Sequence, residues 1–153
     1  MSDLAMEAAV TEMLLFRESG ELFALDLRAA DEVLEMPPLS IVPDMAGAMM
    51  GVFPLRGTYV PVFATYAALG VCQAGPPGVV LILRRGDRRV GLALDDVEDV
   101  ITVDASQLHR PPSPDGAERV VVGVERRGGE LVGIVDAATL VEACAALPSG
   151  DIG

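Results

Sequence analysis

The sequence predicts a mainly β protein: two five-stranded barrel subdomains produced by an internal duplication, with a few short helices, one of them C-terminal. Three observations lead there. The first is that the chain repeats itself. At an offset of 67 residues Leu14-Leu15-Phe16-Arg17 matches Leu81-Ile82-Leu83-Arg84 and Asp31-Glu32-Val33-Leu34 matches Glu98-Asp99-Val100-Ile101. After a five-residue expansion of the second copy the offset becomes 72, and Gly51-Val52 meets Gly123-Val124. Self-similarity of this kind marks a duplicated structural unit. The second observation is that each copy consists of short runs rich in Val, Ile, Leu and Phe, bounded by turn residues, which is the pattern of strands. The third is the Gly75-Pro76-Pro77-Gly78 stretch, which reads as the joint between the copies.

Taken in order, the first copy predicts strands near 13–18, 22–28, 31–36, 51–55 and 58–63, then a short helix near 65–69. The second predicts strands near 79–85, 88–94, 97–103, 120–126 and 130–136, then a helix near 137–147. Ser19-Gly20, Gly86-Asp87 and Gly128-Gly129 sit where hairpins should turn. Five short strands per unit favour closure into a barrel, because closure removes the edges that would pair with other chains. The expected division is therefore a tail or short helix over 1–12, a first barrel over 13–74, a linker over 75–78, a second barrel with its helix over 79–147, and a tail over 148–153.

Composition narrows the function classes. The chain has 153 residues and a net charge of −12, from 23 acidic and 11 basic residues, and every basic residue is arginine. A carboxylate-rich surface repels phosphate backbones and anionic headgroups, which disfavours nucleic acid and bare membrane and leaves protein partners. Between Asp44 and Arg84 the only charge is Arg56. That stretch is too broken to span a bilayer: Pro43, Gly47, Gly51, Pro54, Gly57, Pro61 and Gly70 interrupt every window of about 20 residues. With no basic start ahead of an apolar run there is no visible secretory signal. Cys72 and Cys144 lack metal-ligand spacing and read as two free buried thiols of a reducing cytoplasm.

Arg56 is the residue to explain. The duplication supplies an internal control, since the aligned residue of the second copy is Gly128. The turn does not need an arginine. Either its stem packs on apolar surface while its head satisfies loop carbonyls, or it faces a partner.

The landmarks Phe23-Ala24-Leu25-Asp26-Leu27, Glu32-Val33, Val42-Pro43, Gly51-Val52, Leu55-Arg56-Gly57 and Val60-Pro61-Val62, with Val90-Gly91-Leu92-Ala93-Leu94-Asp95 and Leu131-Val132-Gly133-Ile134-Val135-Asp136 in the second copy, resemble the CheW-like domain family. The resemblance runs from about Met13 to Leu147. It implies two SH3-like barrels and a non-enzymatic scaffold that takes no cofactor or metal, is cytoplasmic and is recruited to membrane receptor arrays. It also implies two partners: the regulatory domain of a CheA-type histidine kinase, and the cytoplasmic tip of a methyl-accepting chemoreceptor docked in the groove between the barrels. Carried onto this chain, the partner surface is the Glu32 and Arg56 pair with Leu55 and Gly57, and the groove is formed by Ala30, Val33, Val79 and Ile82. Two departures stand out. Pro54 replaces the asparagine that usually precedes the arginine motif, and Ala64-Thr65-Tyr66 replaces an aspartate-leucine-arginine run. The aligned Asp136 keeps the carboxylate in the second copy only.

Other chemistry is thin. His109, the single histidine, lies before Arg110-Pro111-Pro112-Ser113-Pro114 and reads as a solvated loop residue. Asp95, Asp96, Glu98, Asp99 and Asp104 lack the spacing of a calcium loop. Met36, Met45, Met49 and Met50 read as core filler, with a docking patch as the competing use. The alternative to a scaffold is a small anion-binding or enzymatic β protein whose pocket lies between the barrels and holds its ligand through Arg56.

Overall fold

The structure is a computed structural model that describes residues 10–45, 47–109 and 120–146. Ten strands appear in order: β1 (Val10–Glu18), β2 (Glu21–Asp26), β3 (Ala30–Glu35), β4 (Met49–Leu55), β5 (Thr58–Ala64), β6 (Val79–Arg85), β7 (Arg88–Leu94), β8 (Asp96–Asp104), β9 (Val121–Arg127) and β10 (Glu130–Val135). Helices α1 (Tyr66–Leu69) and α2 (Ala137–Ala146) follow β5 and β10. The strand β1 begins at Val10, so the expected tail over 1–12 gives its last three residues to a sheet.

Two five-stranded sheets form, but they are not the two copies. One sheet has the order β8-β1-β2-β10-β9 and the other β3-β6-β7-β5-β4. Each takes the first two strands from one copy and the last three from the other, with β2 to β10 and β5 to β7 as the parallel pairs. The division into self-contained barrels at 13–74 and 79–147 is therefore corrected: the copies exchange strands reciprocally. The crossing points are short. Leu27–Ala29 forms a single 3-10 turn, its backbone held by the Asp26 carboxylate, and carries the chain from β2 into the other sheet. On the return, Asp95 alone separates β7 from β8. Because both copies carry the same strand pattern, strands three to five of one copy can pair with the first two strands of the other.

Each sheet curls on itself where the chain after its third strand reaches the fourth. Ser40 exchanges two backbone hydrogen bonds with Val52 of β4, at 2.8 and 2.9 Å. His109 does the same with Val124 of β9, both at 2.9 Å. His109 is exposed as expected, but it is the closing bridge of a barrel rather than free loop. The segment from Arg110 to Pro114 lies outside the described residues.

The core has three parts. Leu15, Leu22, Ala24, Val103, Val132 and Ile134 fill one barrel; Phe53, Val60, Val62, Val80, Ile82 and Ala93 fill the other. Between the barrels lies the largest cluster, in which Phe16, Phe23, Leu25, Leu81, Leu83, Leu92 and Leu94 meet Leu140 and Cys144 of α2. Strands β1, β2, β6 and β7 are thus buried on both faces, which is why their sequences run apolar instead of alternating. Met36 and Met50 pack on the second barrel's core and Met49 on the central cluster. Burial pushes the Cys144 thiol up to about 12, whereas Cys72 is exposed, contrary to the expectation of two buried thiols. Glu18 is buried at the end of β1 and accepts from the Ser19 hydroxyl at 3.2 Å. Desolvation, helped by the neighbouring Asp95 charge, holds its carboxyl above the usual range.

Candidate partner-binding site

Glu32 lies on β3, at one edge of its sheet, and Arg56 lies in the hairpin between β4 and β5, at the opposite edge. Curling of the barrel brings the edges together, and Arg56 Nη2 donates to Glu32 Oε1 at 2.6 Å. The arginine side chain stays 56% exposed and the glutamate 23%. The two-residue turn has φ of 49° at Arg56 and 88° at Gly57, a pair of left-handed residues that suits the twist of a hairpin. In the second copy Gly128 and Gly129 hold the same geometry at 57° and 86°. A non-glycine residue in that region costs about 1–2 kcal/mol. An exposed ion pair returns about 0–1 kcal/mol, so stability does not explain the arginine.

The remaining expected residues divide. Leu55 is half-buried against the barrel core and Gly57 is exposed. On β3, Val33 is 41% exposed and Ala30 is half-buried against the central cluster. Val79 is half-buried at the start of β6, opposite Glu35. Ile82 is corrected: it pairs with Glu32 across the strands but its side chain is 0% exposed inside the barrel, so it supports the surface and does not belong to it. Thr65 is likewise buried, donating to the Ala93 carbonyl at 3.0 Å, which removes it from any partner surface. Sequence reasoning missed Tyr59, 71% exposed and paired with exposed Pro54 beside the turn. The alternation of β5, with Val60 and Val62 inward, carried that signal. It also missed Val100, the exposed counterpart of Val33 on β8.

An open hollow of about 530 Å³ lies elsewhere, lined by Met13, Asp26, Arg28, Val122, Ile134 and Asp136 among others, and Arg56 does not line it. Among the described residues no three of His, Cys, Asp and Glu cluster as metal ligands. The acidic residues of β8 serve local structure: Asp99 accepts from the Val100 amide, and Asp104 caps the 3-10 turn Ala105–Gln107. No helix among the described residues is long and apolar enough to cross a membrane.

The profile of the CheW-like domain matches residues 12–145. The chain belongs to the CheW-like domain family. A chemotaxis protein CheW of Rhizobium meliloti is 30% identical over 106 residues, covering 68% of this chain and 67% of that protein. One from Klebsiella aerogenes is 28% identical over 143 residues, covering 89% and 84%. Among solved structures, the scaffolding protein TtCheW of Thermoanaerobacter tengcongensis superimposes with a TM-score of 0.72 at 23% identity, covering 82% of this chain and 83% of that one. The CheW-like fold is thus mainly β here, with two five-stranded sheets and a C-terminal helix.

Proposed function

We propose that this CheW-like chain is a non-enzymatic scaffold of a chemotaxis-type signalling array, coupling the regulatory domain of a CheA-type histidine kinase to the cytoplasmic tip of a methyl-accepting chemoreceptor. The single observation that carries the reading is Arg56, kept at a left-handed turn position that its duplicate gives to glycine and held to Glu32 in an exposed pair. Family membership and the chemotaxis names of its relatives support it. Pro54 and Tyr59 flank the pair and complete the surface for the kinase domain. The receptor helix is assigned to the exposed edge of β3, along Ala30 and Val33, with Val79 of β6 at the Glu35 end of the same ladder. Helix-in-groove recognition draws on apolar anchors, so this contact should hold at high salt. The scaffold works in the cytoplasm and reaches the membrane through its receptor.

The test is titration calorimetry with a kinase regulatory domain and, separately, a receptor-tip fragment. Wild-type chain binds both, and Arg56→Gly loses the kinase domain while keeping its fold. Failure to bind either fragment, together with a thermal shift on adding a small carboxylate, would overturn the scaffold in favour of an anion-binding protein.

A further inference from the structure

The two copies place opposite charge at equivalent sites. At the β1–β2 end of the first barrel one arginine, Arg17, stands among four carboxylates: Glu18, Glu21, Glu98 and Glu130. Arg17 is fully engaged, donating to Glu98 at 2.7 Å, to Glu130 at 3.1 and 3.2 Å and to the Gly20 carbonyl at 2.9 Å. The equivalent positions at the β6–β7 end carry four arginines, Arg84, Arg85, Arg88 and Arg89, and only two carboxylates, Asp87 and Asp31. Asp31 is shared, accepting from Arg84 at 3.0 Å and from Arg89 at 2.8 Å. Both guanidinium groups hold its carboxyl below the usual range. Arg85 turns away toward α2, donating to the Ala138 carbonyl at 3.2 Å and pairing with Glu142 at 3.7 Å, which leaves Arg84, Arg88 and Arg89 at the hairpin end.

The counterpart of Glu130 is Thr58, so the second carboxylate that completes Arg17 is missing at Arg84. The Arg84 side chain is 58% exposed where that of Arg17 is 29%. Arg88 is exposed and makes no ion pair among the described residues. Arg84, Gly86, Asp87, Arg88 and Arg89 line a hollow of about 140 Å³, room for a carboxylate group. Since the first copy builds the same hairpin with Glu18, Glu21 and Leu22 in place of three of these arginines, the fold does not require them.

We propose that the β6–β7 end is a docking surface for an acidic segment of a partner protein, whose carboxylate occupies the position that Glu130 fills on the other barrel. A local protein segment fits better than an extended anionic surface. The rest of a chain with net charge −12 repels a membrane or a nucleic acid, while a short acidic peptide reaches the arginines without meeting the remaining carboxylates. The inference is independent of the Glu32 and Arg56 surface and needs neither kinase nor receptor for its test.

The probe is a fluorescein-labelled ten-residue polyglutamate peptide, followed by fluorescence anisotropy with the full chain. Saturable binding at low salt is expected, fading toward ~0.5 M as screening shortens the reach of the charges. Arg88→Glu, at an exposed residue with no partner to lose, should weaken it about threefold to tenfold. Thr58→Glu, which supplies the missing carboxylate from within, should weaken it as well. Absence of binding, or binding unchanged in Arg88→Glu, would overturn the proposal. So would Arg88-dependent binding of anionic phospholipid vesicles or inorganic phosphate without the peptide, or a salt-sensitive dimer of the chain that Arg88→Glu dissolves.

Discussion

Arg56 separates what a position needs from what it carries. Its backbone is left-handed and its duplicate is glycine, so Arg56→Gly relieves the turn while removing the ion pair to Glu32. The relief of about 1–2 kcal/mol equals or exceeds the loss of about 0–1 kcal/mol, and chemical denaturation should show stability unchanged or raised by about 0–2 kcal/mol. A loss above about 2 kcal/mol would make the arginine structural. Glu18 gives a second test at this scale. Its carboxyl is raised in the folded state, so the unfolded chain ionises first as pH rises. Its contribution to stability is therefore present in acid and lost as pH climbs from the ordinary carboxylate range through the raised value. Glu18→Gln keeps an oxygen to accept from Ser19 and carries no charge. The urea midpoint of the variant should exceed wild type at pH 8, and the difference should shrink toward pH 5. The two cysteines supply a third test. Buried Cys144, its thiol pushed up to about 12, should resist a thiol reagent that modifies exposed Cys72 in the native chain, and both should react after unfolding.

Among elements, the helices show what the departures at Ala64-Thr65-Tyr66 mean. Asp136 accepts from the Thr139 amide at 3.0 Å and from its hydroxyl, closing the first turn of a ten-residue helix. Where its counterpart is Ala64, α1 lasts four residues and Thr65 turns inward to Ala93 instead of capping. The missing carboxylate is a helix cap before it is anything else. Asp136→Ala should cost about 1 kcal/mol, with amide exchange in α2 rising first. The strands themselves were legible: 79–85 and 88–94 stand where the turn residues Gly86-Asp87 and the joint before them placed them. Ends written in hydrogen bonds rather than side-chain pattern were less so. The strand expected over 22–28 stops at Asp26, because the Asp26 carboxylate takes the Arg28 amide out of the ladder and Leu27–Ala29 forms a 3-10 turn. The meeting of Glu32 and Arg56 came from the family resemblance, since nothing in the spacing shows opposite sheet edges joining. Burial of Ile82 and Thr65 was not legible: β6 is apolar on both faces and does not announce which one a partner can reach, and the hydroxyl of Thr65 finds its acceptor in Ala93, 28 residues away.

At the scale of the molecule the reciprocal exchange of strands was hidden by the feature that revealed the duplication. Two copies of one pattern leave the choice of pairing partner open, and exchange of identical elements is a low-cost rearrangement. Cutting the chain within Gly75-Pro76-Pro77-Gly78 tests it directly. Fragments 1–76 and 77–153 should each lack a native circular dichroism spectrum alone and recover it on mixing, whereas self-contained barrels would leave each fragment folded. The same interleaving sets a timetable for a chain leaving the ribosome. The sheet β3-β6-β7-β5-β4 has all its strands once Leu94 is made and β1 gains β8 by Asp104, but β2 waits for β10, which is complete at Val135, 41 residues after Leu94. At translation speeds of about 5–20 residues per second that is roughly 2 to 8 s. Until then Leu22 and Ala24 of β2 lack Val132 and Ile134, the β10 residues that complete their barrel core. The nascent protein is thus at its most aggregation-prone late in synthesis, at its N-terminal hairpin, and chaperone crosslinking to stalled chains should peak there.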